Sequence, residues 1–226
     1  RYDMERAITK SSNNYFFKVF RRLIQQGEHP SPFIDSRIGY NKWRDYVLQF
    51  GFGKRLHIDL PNEKAGFVPS LESYDKIYGK ERWKFSNIYS LSIGQGELLV
   101  TPLQMANLGV ILANRGHYFT PHLVRKVGFE NLDFSEKQSI EIDTAHFESV
   151  LNGMQALVSV PGSRAYIPDL VFCGKTSTVE NPHGLDHSGF MGFAPREDPK
   201  IAIAVYVENA GWGARAALST ASLVIE

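Results

Sequence analysis

Apolar residues in the first fifty positions recur every three or four residues, which is the spacing of an amphipathic helix. The polar run Ser11-Ser12-Asn13-Asn14 precedes the first such stretch and Gly27 follows it, so we predict a polar turn and then a helix within residues 2–26. The positions that define its apolar face are Tyr15, Phe16, Val19, Phe20, Leu23 and Ile24. A second helix is predicted over residues 37–50.

The middle of the chain alternates irregular stretches with two strong helices. Thr101, Pro102 and Gln104 form a helix-start signature, and the residues from there to Gly116 are apolar nearly all round, which predicts a buried helix. A further helix is predicted over residues 144–158 and a short strand over 123–127. Residues 54–69 read as an irregular arm, and the charged, aromatic residues 74–85 as a surface segment.

Strand patterns dominate the last quarter of the chain. We predict a strand around Lys175, a hairpin made of residues 188–194 and 201–207, and a closing helix over 214–225. Helices early and an antiparallel sheet late describe an α+β fold.

The composition is that of a globular protein: 226 residues, 43% hydrophobic and 22% charged. A formal net charge of +1 argues against nucleic acid as a partner. Cys173 is the one cysteine, so an internal disulfide is impossible, and we expect its side chain to be a small buried one. No apolar run in the sequence approaches the length of a membrane span.

The candidate chemistry lies in Cys173-Gly-Lys-Thr-Ser-Thr-Val179. In a strand, Lys175 and Ser177 would share one face, and Thr176 and Thr178 the other. An edge strand of this kind can pair with an extended peptide and hold a carboxylate with a lysine charge and hydroxyls. A solvated strand end is the alternative for this triplet, and an N-cap is the alternative for Ser11 and Asn13.

Three segments together resemble the transpeptidase domain of class B penicillin-binding proteins, and most closely the elongation type. Ser11-Ser-Asn13 is similar to the Ser-x-Asn motif of that family, and Gly174-Lys-Thr-Ser-Thr178 to its Lys-Thr-Gly strand. The run Asn181-Pro-His-Gly184 continues the match of the Lys-Thr-Gly segment, and the remaining segment is the helix block from Ser92-Ile-Gly-Gln-Gly-Glu97 to Gly116. The order and separation of these motifs carry the resemblance over nearly the whole chain.

The resemblance implies a β-lactamase/transpeptidase-like fold, an antiparallel sheet flanked by helices, and a serine D,D-transpeptidase that cross-links D-Ala-D-Ala stem peptides and is acylated by β-lactams. It assigns Ser11, Asn13 and Lys175 to catalysis and Thr176, Ser177 and Thr178 to substrate binding. No cofactor or metal is implied. It further implies a glycosyltransferase or elongation complex as partner, a membrane anchor upstream, and a location at the periplasmic face of the inner membrane.

Two features depart from the family pattern. The family places a Ser-x-x-Lys nucleophile before Ser-x-Asn, whereas the match here, Ser73-x-x-Lys76, lies after it and is interpreted as a coincidence. We therefore expect residues 1–226 to be the C-terminal portion of one transpeptidase domain, without the nucleophile, inactive alone and exposing apolar edges. Ser177 stands where the family has glycine, so we expect weakened β-lactam acylation.

Other functions remain open at this point. A non-catalytic sensor or scaffold with the same fold would fit the missing nucleophile, and a D,D-carboxypeptidase or β-lactamase would share the acyl chemistry. His183 and His187 flank Asp186 at a spacing that can bind zinc, but a structural turn is favoured there. The three tryptophans are expected to be packing residues rather than ligand platforms, although the resemblance puts Trp212 where the rim of the family's cleft would be.

Overall fold

A computed structural model describes residues 2–226. The helices are α1 (Met4–Thr9), α2 (Asn13–Ile24), α3 (Pro32–Gln49), α4 (Leu71–Tyr78), α5 (Phe85–Ile88), α6 (Pro102–Ala113), α7 (Ala145–Val158) and α8 (Ala217–Ile225), with a 3₁₀ turn at Tyr89–Ile93. The strands are β1 (His117–Phe119), β2 (Lys126–Val127), β3 (Glu130–Asn131), β4 (Lys137–Ser139), β5 (Cys173–Val179), β6 (His187–Ala194) and β7 (Ile201–Val207). The α+β class is thereby confirmed.

The described chain divides into two compact units. The first comprises residues 2–11, 57–61 and 101–226, and the second comprises residues 12–56 and 62–100. Whether the whole chain is a portion of one domain stays a prediction.

The first unit is built on an antiparallel sheet in the order β5-β6-β7. Strand β5 comes first in this order, so it lies at an edge of the sheet. Its residues Lys175 and Ser177 pair with Met191 and Gly189 of β6. Helices α7 and α8 cover the sheet with a core that includes Val158, Phe190 and Leu218. As predicted, α6 is capped by Thr101 and Gln104 and is largely buried, and a Cβ built on Gly109 would lie 3.0 Å from the carbonyl oxygen of Gly192 on β6.

The second unit has an aromatic core, and here the prediction of a surface segment at residues 74–85 is wrong. Tyr74 and Trp83 are fully buried, and the ring of Tyr74 meets that of Tyr40 edge to face with centroids 5.3 Å apart. The indole nitrogen of Trp83 donates to Asp75, 2.9 Å away. The prediction rested on the many charged residues in this segment. Helix α4 is amphipathic, however, and buries its aromatic side while Lys76 stays exposed.

Several boundaries also differ from the predictions. Helix α3 begins at Pro32, five residues before the predicted start, and α1 occupies a stretch predicted as a turn. The strand predicted over 123–127 is reduced to β2, which pairs with β3 in a two-residue ladder. Short strands of this kind carry too few residues for a period of two to show.

Within residues 2–226, none of the helices combines the length and the apolar character that crossing a membrane requires.

Candidate functional site

Lys175 and Ser11 meet directly, although they are separated by 164 positions in the sequence. The ammonium nitrogen of Lys175, on edge strand β5, donates to the hydroxyl oxygen of Ser11 at 2.6 Å. It also donates to the carbonyl oxygen of Thr176 at 2.9 Å, which fixes the direction of the long side chain. The arrangement brings a cation and a hydroxyl together at the edge of a sheet.

Helix α1 positions Ser11. The hydroxyl of Thr9, the last residue of α1, donates to the carbonyl of Gly153 on α7 at 3.1 Å, and Ala7 and Ile8 are buried. The backbone of Ser11 then takes a left-handed conformation with φ 48°, while its amide donates to the carbonyl of Ile8 at 3.1 Å. Non-glycine residues adopt such a φ rarely, so Ser11 is held by its surroundings.

Ser11 is not the cap of α2. The N-cap residue is Ser12, and its side chain makes no capping hydrogen bond. The interpretation of Ser11 as a purely structural cap is therefore wrong, because its hydroxyl instead accepts from Lys175.

Burial lowers the pKa of Lys175. Removal of the ammonium group from water lowers the pKa of Lys175 from 10.5 to about 8. Among the described residues, no carboxylate forms an ion pair with Lys175. The side chain is thus a cation close to its titration point, able to release a proton at modest cost.

The hydroxyls that follow Lys175 have different surroundings. Thr176 is half-buried, whereas Ser177 and Thr178 are exposed. The hydroxyl of Ser177 lies against Gly189 on β6. The hydroxyl of Thr178 accepts a hydrogen bond from the amide of Gly213 at 3.1 Å, so part of its bonding capacity holds the segment that follows β7.

Beside this pair lies a cavity of about 910 Å³ within the first unit. Ser11 and Thr176 contribute to its wall, and so does Trp212, whose side chain is 77% exposed. The prediction that Trp212 is a packing residue is wrong. Three cationic residues that the sequence did not single out also line the cavity: Lys10, Arg164 and Arg215. The one sequence signal for them was that Lys10 adjoins Ser11.

Asn13 is the first residue of α2, at the start of the second unit, and is exposed. Its assigned contact with substrate stays a prediction. Ser73 lies in α4, where its hydroxyl oxygen accepts a hydrogen bond from the amide of Ser70 at 3.2 Å in a capping box. This structural role agrees with the interpretation of Ser73-x-x-Lys76 as a coincidence.

The two histidines considered for zinc lie in the loop between β5 and β6 and at its end. Nδ1 of His187 accepts a hydrogen bond from the backbone amide of Asn209 at 3.0 Å, and the amide of His183 donates to Asn181 at 3.0 Å. The described residues contain no group of three or more metal-ligating side chains. The loop is a hydrogen-bonded turn. Cys173, as predicted, is buried, and burial raises the pKa of its thiol to about 12.

Comparison with known proteins identifies the family to which this chain belongs. The family model described as "Penicillin binding protein transpeptidase domain" matches residues 1–225. The chain is 30% identical over 248 aligned positions to the peptidoglycan D,D-transpeptidase MrdA of Haemophilus influenzae, with 99% of this chain and 36% of that protein covered. The chain therefore spans about a third of the length of that curated relative.

Solved structures agree with the sequence comparison. Pseudomonas aeruginosa PBP2 in complex with WCK 5153 superposes with a TM-score of 0.78 at 27% identity, over 99% of this chain and 46% of that one. PBP2 of Helicobacter pylori in complex with MreC gives a TM-score of 0.74 at 22% identity, over 99% of this chain and 38% of that one, a likeness of fold alone.

Proposed function

This chain belongs to the penicillin-binding protein transpeptidase family, and from that premise we propose that it acts as part of a peptidoglycan D,D-transpeptidase. The reaction is a serine acyl transfer that joins stem peptides ending in D-Ala-D-Ala, and β-lactams acylate the same enzyme. In this proposal Ser11 relays a proton and is not the nucleophile.

The hydrogen bond between Lys175 and Ser11 carries the proposal. It unites the residues that correspond to two family motifs, in the first unit and beside a cavity large enough for a peptide tail. A solvated strand end and a helix cap would have no reason to converge in this way.

The proposed chemistry uses the proton of Lys175. When an attacking serine forms the acyl-enzyme, the C–N bond to the terminal D-Ala breaks and its nitrogen needs a proton. Ser11 donates its hydroxyl proton to that nitrogen and takes one from Lys175, which the lowered pKa of Lys175 facilitates. Before that transfer, the positive charge of Lys175 and the hydroxyl of Thr176 attract the substrate carboxylate. No cofactor is needed for acyl transfer of this kind.

The proposed setting is wall elongation at the periplasmic face of the inner membrane, with a glycosyltransferase or elongation complex as partner. What supports it is the similarity to MrdA and to a PBP2 whose structure was solved with MreC. The upstream membrane anchor belongs to the same proposal.

The test uses the protein expressed from its complete gene, labelled with fluorescent penicillin. We expect stable labelling that Ser11→Ala and Lys175→Ala each slow about 100-fold or more, as for loss of a general acid. Ser12→Ala is the matched control, because Ser12 adjoins Ser11 and its hydroxyl makes no capping hydrogen bond. This variant should be labelled at the normal rate. Intact mass then separates the alternatives: a persistent adduct supports a transpeptidase, rapid turnover a hydrolase, and no adduct a silent binding module.

A further inference from the structure

The cavity beside Ser11 and Thr176 has a charge pattern unlike that of the chain as a whole. The complete sequence holds 25 lysines and arginines against 24 acidic residues. The described residues that line the cavity include Lys10, Arg164 and Arg215 but no aspartate or glutamate. A wall of one charge sign raises the local concentration of ligands with the opposite sign.

Arg164 is fixed to the fold from two sides. Its guanidinium donates to the carbonyl of Arg215 at 3.1 Å, and its own carbonyl accepts from the hydroxyl of Ser222 on α8 at 3.2 Å. The next residue, Ala165, is 1% exposed and belongs to the core between the sheet and α8. A cation anchored in this way loses less conformational entropy on binding than a free surface side chain.

A buried hydroxyl at the cavity wall lacks a hydrogen-bond partner among the described residues. The hydroxyl oxygen of Ser163, a residue that lines the cavity, is buried and finds no hydrogen-bond partner among the described residues. Buried hydroxyls are normally bonded, so the Ser163 hydroxyl would gain a hydrogen bond if its side chain turned toward a ligand in the cavity.

We propose that this wall, formed by Lys10, Ser163, Arg164 and Arg215, binds a second carboxylate of the donor peptide, in addition to the terminal carboxylate held near Lys175. The ligand class is therefore an acidic peptide, and the inference rests on the proposed function. The donor is favoured over the acceptor strand because Ser11 and Thr176, assigned to the donor tail, line the same cavity.

The test is equilibrium binding, which needs no turnover. Two D-Ala-D-Ala peptides that differ only in one side-chain group, a carboxylate or its amide, are titrated by calorimetry into the protein expressed from its complete gene. We expect the carboxylate peptide to bind about 5- to 20-fold more tightly, as for charge-assisted hydrogen bonds to partly exposed guanidinium groups. The preference should weaken with added salt.

Substitutions locate the effect. Arg164→Gln combined with Arg215→Gln should reduce the carboxylate preference to less than about twofold, whereas Arg164→Lys should retain part of it. Arg125→Gln, at an exposed arginine that does not line the cavity, should keep the full preference. Equal affinity of the parent protein for the two peptides would overturn the subsite, and so would a preference that survives the double substitution with an unchanged melting temperature. Failure of penicillin labelling would overturn the proposed function instead.

Discussion

At the residue scale, Lys175 is the decisive group, because a desolvated ammonium with a pKa of about 8 changes charge in an accessible range. Its protonated form both donates to Ser11 and attracts a carboxylate. We expect the second-order rate constant for acylation by benzylpenicillin to be level below pH 8 and to fall about tenfold per pH unit above it. A stopped-flow or gel-based pH series measures this.

The sign follows from the direction of the shift. Burial disfavours the charged lysine, so the proton is lost at lower pH than in the unfolded chain, and the active form is the one that disappears. Lys175→Arg removes this titration, since arginine stays charged. The variant should be slower but flat up to pH 10, and a fall near pH 8 that persists in it would assign the titration to another group.

Ser177 gives a second residue-scale prediction. Its hydroxymethyl lies against Gly189, on the strand face it shares with Lys175, where the family has no side chain. Ser177→Gly should speed β-lactam acylation on the order of 10-fold by relieving crowding, at a cost in stability of about 0.5–1 kcal/mol. Ser177→Ala keeps the Cβ, so it tests crowding against loss of the hydroxyl. Equal acylation rates for serine and glycine would contradict the idea.

At the element scale, the long helices and the β5-β6-β7 hairpins were predictable because each extends over at least one full period of its pattern. Tyr74 and Trp83 were misplaced because charge frequency says nothing about which side of a short helix faces inward. Helix α1 was missed since six residues are too few to establish a period, yet α1 is what positions Ser11.

The contact between α1 and α7 therefore allows a test of how α1 positions Ser11. A Cβ on Gly153 would lie 2.8 Å from both the carbonyl oxygen of Glu5 and the Cβ of Ile8. Although alanine favours a helix, we expect Gly153→Ala to lower the free energy of unfolding by about 1–3 kcal/mol and to slow acylation by shifting Ser11. Ser149→Ala, at an exposed position of α7, is the control and should change neither denaturation nor labelling.

At the scale of the whole molecule, the motifs of the site could be recognised from the sequence, but the cavity could not. Lys10, Arg164 and Arg215 come from separate segments, and only the fold assembles them. The resemblance assigned Thr178 to substrate binding, and the structure adds that its hydroxyl accepts a hydrogen bond from the amide of Gly213, so the substrate contact of Thr178 stays a prediction.

The free edge of β7 leads to a prediction for the isolated chain. Strand β7 has no second neighbour among the described residues, and Ile201 and Tyr206 on it are 36% and 44% exposed. An unpaired edge strand can pair with the edge strand of another chain, so residues 1–226 made alone should sediment as oligomers. The double substitution Ile201→Lys and Tyr206→Lys should reduce the oligomeric fraction. A monodisperse chain with one cooperative melting transition would count against the prediction.

The most direct test of the central claim is a double-mutant cycle on Ser11 and Lys175 in the protein expressed from its complete gene, with the benzylpenicillin acylation rate as readout. If the two side chains act as one proton relay, Ser11→Ala with Lys175→Ala together should be no slower than the slower single variant. Two losses that simply multiply would show that the residues act independently, and the account of this site would then be wrong.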